Sequence, residues 1–61
     1  MDFNYLRLKI DESAFTNDEL AEMIGVSRAT FFNYKFNKTD MPVDKLDKLI
    51  KILNLDVNEL F

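Results

Sequence analysis

The sequence predicts an all-α chain: a compact bundle of four or five short helices. Three observations carry that expectation. Glycine and proline occur once each, at Gly25 and Pro42, whereas sheet proteins of this size need more turn residues. Apolar residues recur at helical rather than alternating spacing. N-capping signatures stand at three separate places, at Thr16, Ser27 and Asp56. At 61 residues the chain is expected to be a single domain, 1–61. A chain this short buries only about 60% of its extended surface, so no helix stands alone and packing must hold them.

Leu6, Ile10 and the pair Ser13/Ala14 mark one face of a first helix over roughly residues 4–13, with Tyr5 and Leu8 on its flanks. Thr16-Asn17-Asp18-Glu19 is a capping box, and Phe15 and Leu20 occupy the positions of a hydrophobic staple around it. Leu20, Ala21 and Ile24 face the core over 17–24. Gly25 then ends the helix by accepting a left-handed conformation at no steric cost. Ser27 caps a third helix over roughly 28–36, with Val26 and Phe31 as its staple. Phe31 and Tyr34 point one way, and Arg28, Ala29, Phe32, Asn33 and Phe36 spread over the rest. Two helices joined by so short a turn, with glycine inside it, make a helix-turn-helix.

Asn37 to Met41 is a polar link, and Pro42 suits the start of a fourth helix. Val43, Leu46, Ile50 and Leu53 form its apolar stripe, widened by Leu49 and Ile52. Lys45, Lys48 and Lys51 alternate with Asp44 and Asp47 on what reads as a solvated face. Asp56-Val57-Asn58-Glu59 repeats the capping pattern, with Leu55 and Leu60 as staple, and gives a last short turn over 57–60.

Composition narrows the chemistry. There is no cysteine and no histidine, which removes disulfides, zinc fingers, thiol catalysis and imidazole acid–base chemistry. No calcium-loop spacing appears, and no cofactor is expected. Asp44 with Asp47, and Asp56 with Glu59, share faces by spacing, but helix-surface or capping roles account for them, so no enzyme is expected. The longest apolar runs are two residues, which excludes a membrane span and leaves a cytoplasmic protein as the default.

Net charge is −3, yet its distribution matters more than its sum. Residues 1–22 hold two basic and six acidic side chains, and 40–61 hold three and five. Between them, 23–39 carry Arg28, Lys35 and Lys38 with no acid. The second helix of a helix-turn-helix is the one that enters a DNA major groove. Its candidate base-reading residues are Arg28, Ala29, Thr30, Phe32 and Asn33. Arginine bridges guanine O6 and N7, asparagine does the same on adenine N6 and N7, and alanine or phenylalanine touches the thymine methyl. Ser27, Lys35 and Lys38 suit phosphate oxygens. Asn17, at a helix N-terminus with unpaired amides, suits phosphate as well. Each has a plainer reading: a cap for Ser27, a solubilising charge for the lysines, surface polarity for Arg28 and Asn33. Phe32 and Phe36 lie largely outward and need a partner. The competing function is a protein-interaction module that keeps this fold without binding DNA.

The run Phe15-Thr16-Asn17-Asp18-Glu19-Leu20-Ala21-Glu22-Met23-Ile24-Gly25-Val26-Ser27-Arg28-Ala29-Thr30-Phe31 resembles the helix-turn-helix of the Cro and phage-repressor family. Leu6 and Ile10 before it, and Leu46, Ile50, Leu53, Leu55 and Leu60 after it, extend the match over nearly the whole chain. The resemblance implies an all-α, lambda-repressor-like domain of five short helices with a central helix-turn-helix. It implies double-stranded DNA at a palindromic operator as partner, bound by a homodimer, and a small transcriptional repressor of phage or prophage type. Carried over by position, Arg28, Ala29 and Asn33 become the principal base readers. Asn17 stands where the family commonly has a glutamine, Asn37 where it has a glycine, and Phe36 where a polar residue is frequent. With 61 residues, a stand-alone Cro-like protein without a small-molecule effector domain is expected, the DNA-binding part of a longer protein being the alternative. The region from the fourth to the fifth helix and Leu60-Phe61 are the expected dimer seam.

Overall fold

A computed structural model describes residues 1–61 as five helices: α1 (Phe3–Glu12), α2 (Asn17–Ile24), α3 (Arg28–Lys35), α4 (Val43–Leu53) and α5 (Val57–Leu60). The caps expected from sequence form. The Thr16 hydroxyl accepts from the Glu19 amide at 3.1 Å, and Glu19 accepts from the Thr16 amide at 2.9 Å, closing the capping box of α2. Ser27 caps α3 and Asp56 caps α5. Asp2 caps α1 through the Tyr5 amide at 3.1 Å, so the helix starts one residue before the expected residue 4.

Three helices end in the same way. Gly25, Asn37 and Asn54 take left-handed conformations, with φ of 81°, 56° and 52°. The next amide then reaches back five residues: Val26 to Ala21, Lys38 to Asn33, and Leu55 to Ile50, at 2.8–3.0 Å. This closure satisfies carbonyls that a helix end otherwise leaves open. Asparagine tolerates the conformation where glycine is absent.

One apolar cluster lies at the centre. Leu6 and Ile10 of α1, Leu20, Ala21 and Ile24 of α2, and Phe31 and Tyr34 of α3 are buried in it. Leu46 and Leu49 of α4, with Leu55 and Leu60, close it from the other side. The chain ends are tied together: the Asp2 amide donates to the Leu60 carbonyl at 2.6 Å, and the Asp56 amide donates to the Tyr5 hydroxyl at 2.9 Å.

Four apolar expectations shift. Val43 is 81% exposed, because it is the first residue of α4 and projects past the core; Leu46 and Leu49 are the buried pair, with Ile50 and Leu53 only half-buried. Ala14 is exposed, since α1 stops at Glu12 and Ser13 caps it. Phe15 stays exposed although its staple partner Leu20 is fully buried. Leu60 is wholly inside the core, which removes it from any seam between copies, while Phe61 beside it is 70% exposed.

The buried ammonium of Lys35 ties α3 to two other helices. It is bonded to Asp11 of α1 at 2.8 Å and directed at the Asn17 amide oxygen of α2 at 3.5 Å. From the other side, the Arg7 guanidinium donates to the Lys35 carbonyl at 3.2 Å.

Two stability outcomes follow from these contacts. At Gly25 an added Cβ would meet only the Lys45 ammonium at an ordinary 3.6 Å, so the left-handed φ of 81° alone sets the penalty. Gly25→Ala is expected to cost about 1 kcal/mol in urea unfolding, and Gly25→Asn less. Asp11→Ala strands a buried ammonium and is expected to cost about 1.5–3 kcal/mol. Lys35→Met leaves an exposed carboxylate that water takes over, and should cost less; the reverse order of urea midpoints would contradict this account of the clamp.

Candidate nucleic-acid interface

The turn Gly25–Ser27 puts three residues between the end of α2 and the start of α3. Phe31 and Tyr34 are drawn into the core at 1% and 8% exposure, and helical spacing then fixes the outer face of α3. Ala29 and Phe32 are exposed on that face, Asn33 is half-exposed beside them, and Phe36 continues it past the last turn. The Phe32 and Phe36 rings stack, with centroids 5.8 Å apart and planes 18° from parallel. The outward phenylalanines expected from sequence thus cover part of each other.

Arg28 lies at the edge nearest α2. Its Nε is 3.1 Å from Asp18, and both side chains are mostly exposed. Ser27 and Thr30 form a closed pair: the Ser27 hydroxyl accepts the Thr30 amide at 3.1 Å and donates to the Thr30 hydroxyl at 2.9 Å. A hydroxyl has one proton, so the donor left for a ligand at this corner is that of Thr30, not Ser27. Asn17 is the first residue of α2 and half-buried. With its oxygen turned to Lys35, its amide nitrogen is the donor left over. The capping box uses the amides of Thr16 and Glu19, so those of Asn17 and Asp18 stay open at the positive end of α2.

Lys38 is exposed and enters no ion pair. Lys35 differs from expectation. It is 6% exposed and neutralised by Asp11, because its side chain lies on the flank of α3 that α1 and α2 cover. A lysine facing solvent for a phosphate was expected there; a lysine holding helices together is found.

The basic residue that sequence reasoning missed is Arg7. It lies on α1, 28 residues from Lys35 in sequence, yet its guanidinium sits 5.7 Å from the Phe36 ring centre. Its hydrogen-bond partners are Asn4, at 2.8 Å, and the Lys35 carbonyl, and neither cancels its charge. Arg7 therefore supplies at the end of α3 the positive charge that Lys35 withdraws. Only the packing of α1 on α3 brings it there, and no local pattern signals it.

No group of three or more acids could hold a metal ion. A shallow cavity of about 320 Å³, lined by Lys9, Glu12, Ser13, Ala14, Phe15, Ile52 and Leu53, contains no nucleophile–base pair. No helix is long and apolar enough to cross a membrane.

Comparison with known proteins agrees with this geometry. The family model described as the Cro/C1-type HTH DNA-binding domain matches residues 6–61. Nothing among the curated proteins or the solved structures matches the chain significantly. The family match takes in every helix except the first three residues of α1, and with it the helix-turn-helix from Thr16 to Lys35. An all-helical bundle with a capped, glycine-turned pair of helices at its centre, matched over that span, belongs to the Cro/C1-type HTH DNA-binding domain family.

Proposed function

We propose that the chain is a sequence-specific DNA-binding regulator, a Cro-like repressor, which lays α3 in the major groove of a palindromic operator. The observation that carries this reading is the outer face of α3. It is free of the core, begins with Arg28 and carries no acid of its own. Arg28 and Asn33 are placed to bond guanine and adenine edges, and Ala29 and Phe32 to touch thymine methyls. Thr30 stands at the corner, its hydroxyl shared with Ser27, where it meets a base edge or the adjoining phosphate. Lys38, Asn17 and the open amides of α2 take phosphates on either side. Arg7 replaces Lys35 in that set.

The electrostatic contribution is small. The chain has net charge −3, and Lys35 is paired with Asp11. Non-specific attraction scales with the phosphates neutralised, so tight binding needs two aligned half-sites and low to moderate salt. This argues for a homodimer on DNA. The exposed apolar residues Val43, Val57 and Phe61 are candidates for its seam.

One observation favours a second reading. The stacked pair Phe32 and Phe36, 38% and 46% exposed, is an apolar patch that a protein partner could also take. Self-association abolished by Phe32→Ala and Phe36→Ala, together with no binding to any duplex at low salt, would favour an interaction module.

Selection of bound duplexes from a random library tests the main reading. The expected product is a two-fold symmetric site with half-sites about one helical turn apart, roughly 10 base pairs or a multiple of it. Recovery of unrelated sequences would contradict sequence-specific binding. On the selected site, Arg28→Ala and Asn33→Ala are each expected to cost about 1–3 kcal/mol and to blur the preference at one position. Lys38→Ala should weaken selected and random duplexes alike and lower the salt slope by about one. Equal loss on selected and random DNA for Arg28→Ala would reassign that residue to phosphate.

A further inference from the structure

We propose that Asp18 is a specificity-determining positioning residue: its ion pair beside Nε biases Arg28 so that its outer amino groups meet one base pair, and it discourages Arg28 from settling on the phosphate backbone. This rests on the reading of Arg28 as a base reader.

The geometry is direct. Asp18 Oδ1 lies 3.1 Å from Arg28 Nε. A guanidinium offers donors along two approaches, one using Nε with an Nη and one using the two Nη groups together. The carboxylate stands beside Nε as an ion pair, so the Nη groups at the far end of the guanidinium are the donors turned away from it, two parallel N–H donors that match guanine O6 and N7. The two residues come from different helices, the second position of α2 and the first of α3, so the pair also fixes where that fork stands relative to the turn.

Asp18 stands in the first turn of α2, at the positive end of the helix dipole. In water an exposed pair of this kind contributes little. When a groove wall displaces the surrounding water, the same pair strengthens. Its carboxylate also repels phosphates, so any pose that relies on the backbone alone is disfavoured. Asp18 therefore lowers affinity for every duplex and raises the preference for the right one, a combination that a purely structural ion pair would not produce.

The test compares Asp18→Ala, Arg28→Ala and the double variant on three probes. These are a duplex selected from a random library, the same duplex changed at the base pair that Arg28→Ala blurs, and a random duplex at low salt. Asp18→Ala is expected to raise affinity for the random duplex about threefold, one like charge having been removed. It should lower discrimination at the Arg28-dependent base pair about fivefold or more, and have no effect on discrimination once Arg28 is alanine. Asp18→Asn, which keeps the side-chain shape at the start of α2, should move both quantities in the same directions by less. Circular dichroism of each variant establishes that the helices are intact. Unchanged discrimination in Asp18→Ala, an equal effect in the Arg28→Ala background, or loss of affinity for all three probes would overturn the role given to Asp18. If Arg28→Ala itself leaves discrimination intact, or no duplex is selected, the base-reading role of Arg28 fails instead.

Discussion

The connection between α2 and α3 is the constraint on which the rest depends. Gly25 turns the chain in a left-handed conformation, the Val26 amide closes α2, and Ser27 opens α3, all within three residues. So short a link leaves α3 little freedom of direction. Once Phe31 and Tyr34 have taken their places in the core, the opposite side of α3 must face out. The exposed row of Ala29, Phe32 and Phe36, with Asn33 beside it, results from burying their neighbours.

Charge shapes the same surface in a less obvious way. The acid-free stretch from 23 to 39 contains three basic residues, but they do three different things. Arg28 is held by Asp18, Lys35 is buried against Asp11, and Lys38 is free. Lys35 does more for the position of α3 than for its potential, because its bonds reach α1 and α2 together. Arg7 restores a positive charge at the far end of the helix. In a chain of net charge −3, the positive charge left unpaired near this face is that of Arg7 and Lys38, both by the C-terminal end of α3.

What was legible in the sequence was local. Capping boxes, the glycine stop and the N-cap serine involve groups within a few residues of one another, and their outcome is fixed before any helix meets another. The inward direction of Phe31 and Tyr34, and the outward direction of Phe32 and Phe36, follow from spacing alone. What was not legible depended on which helices meet. Val43 fits the apolar stripe of α4 by spacing, yet it stands where α4 has run past its neighbours. Lys35 reads as a surface charge until α1 brings Asp11 to it. Arg7 reads as an ordinary α1 arginine until the same packing sets it over Phe36. The Asp18–Arg28 pair spans the turn, and only the angle between α2 and α3 makes it possible.

The central claim is that the outer face of α3 and the start of α2 meet duplex DNA. Amide chemical-shift mapping of the chain against its selected duplex at low salt tests this most directly. The account predicts that the largest shifts fall on Arg28, Ala29, Thr30, Phe32 and Asn33, with a second group at Asn17 and Asp18 and little change in α5. Shifts confined to residues outside 16–38, or none with any duplex, would contradict it.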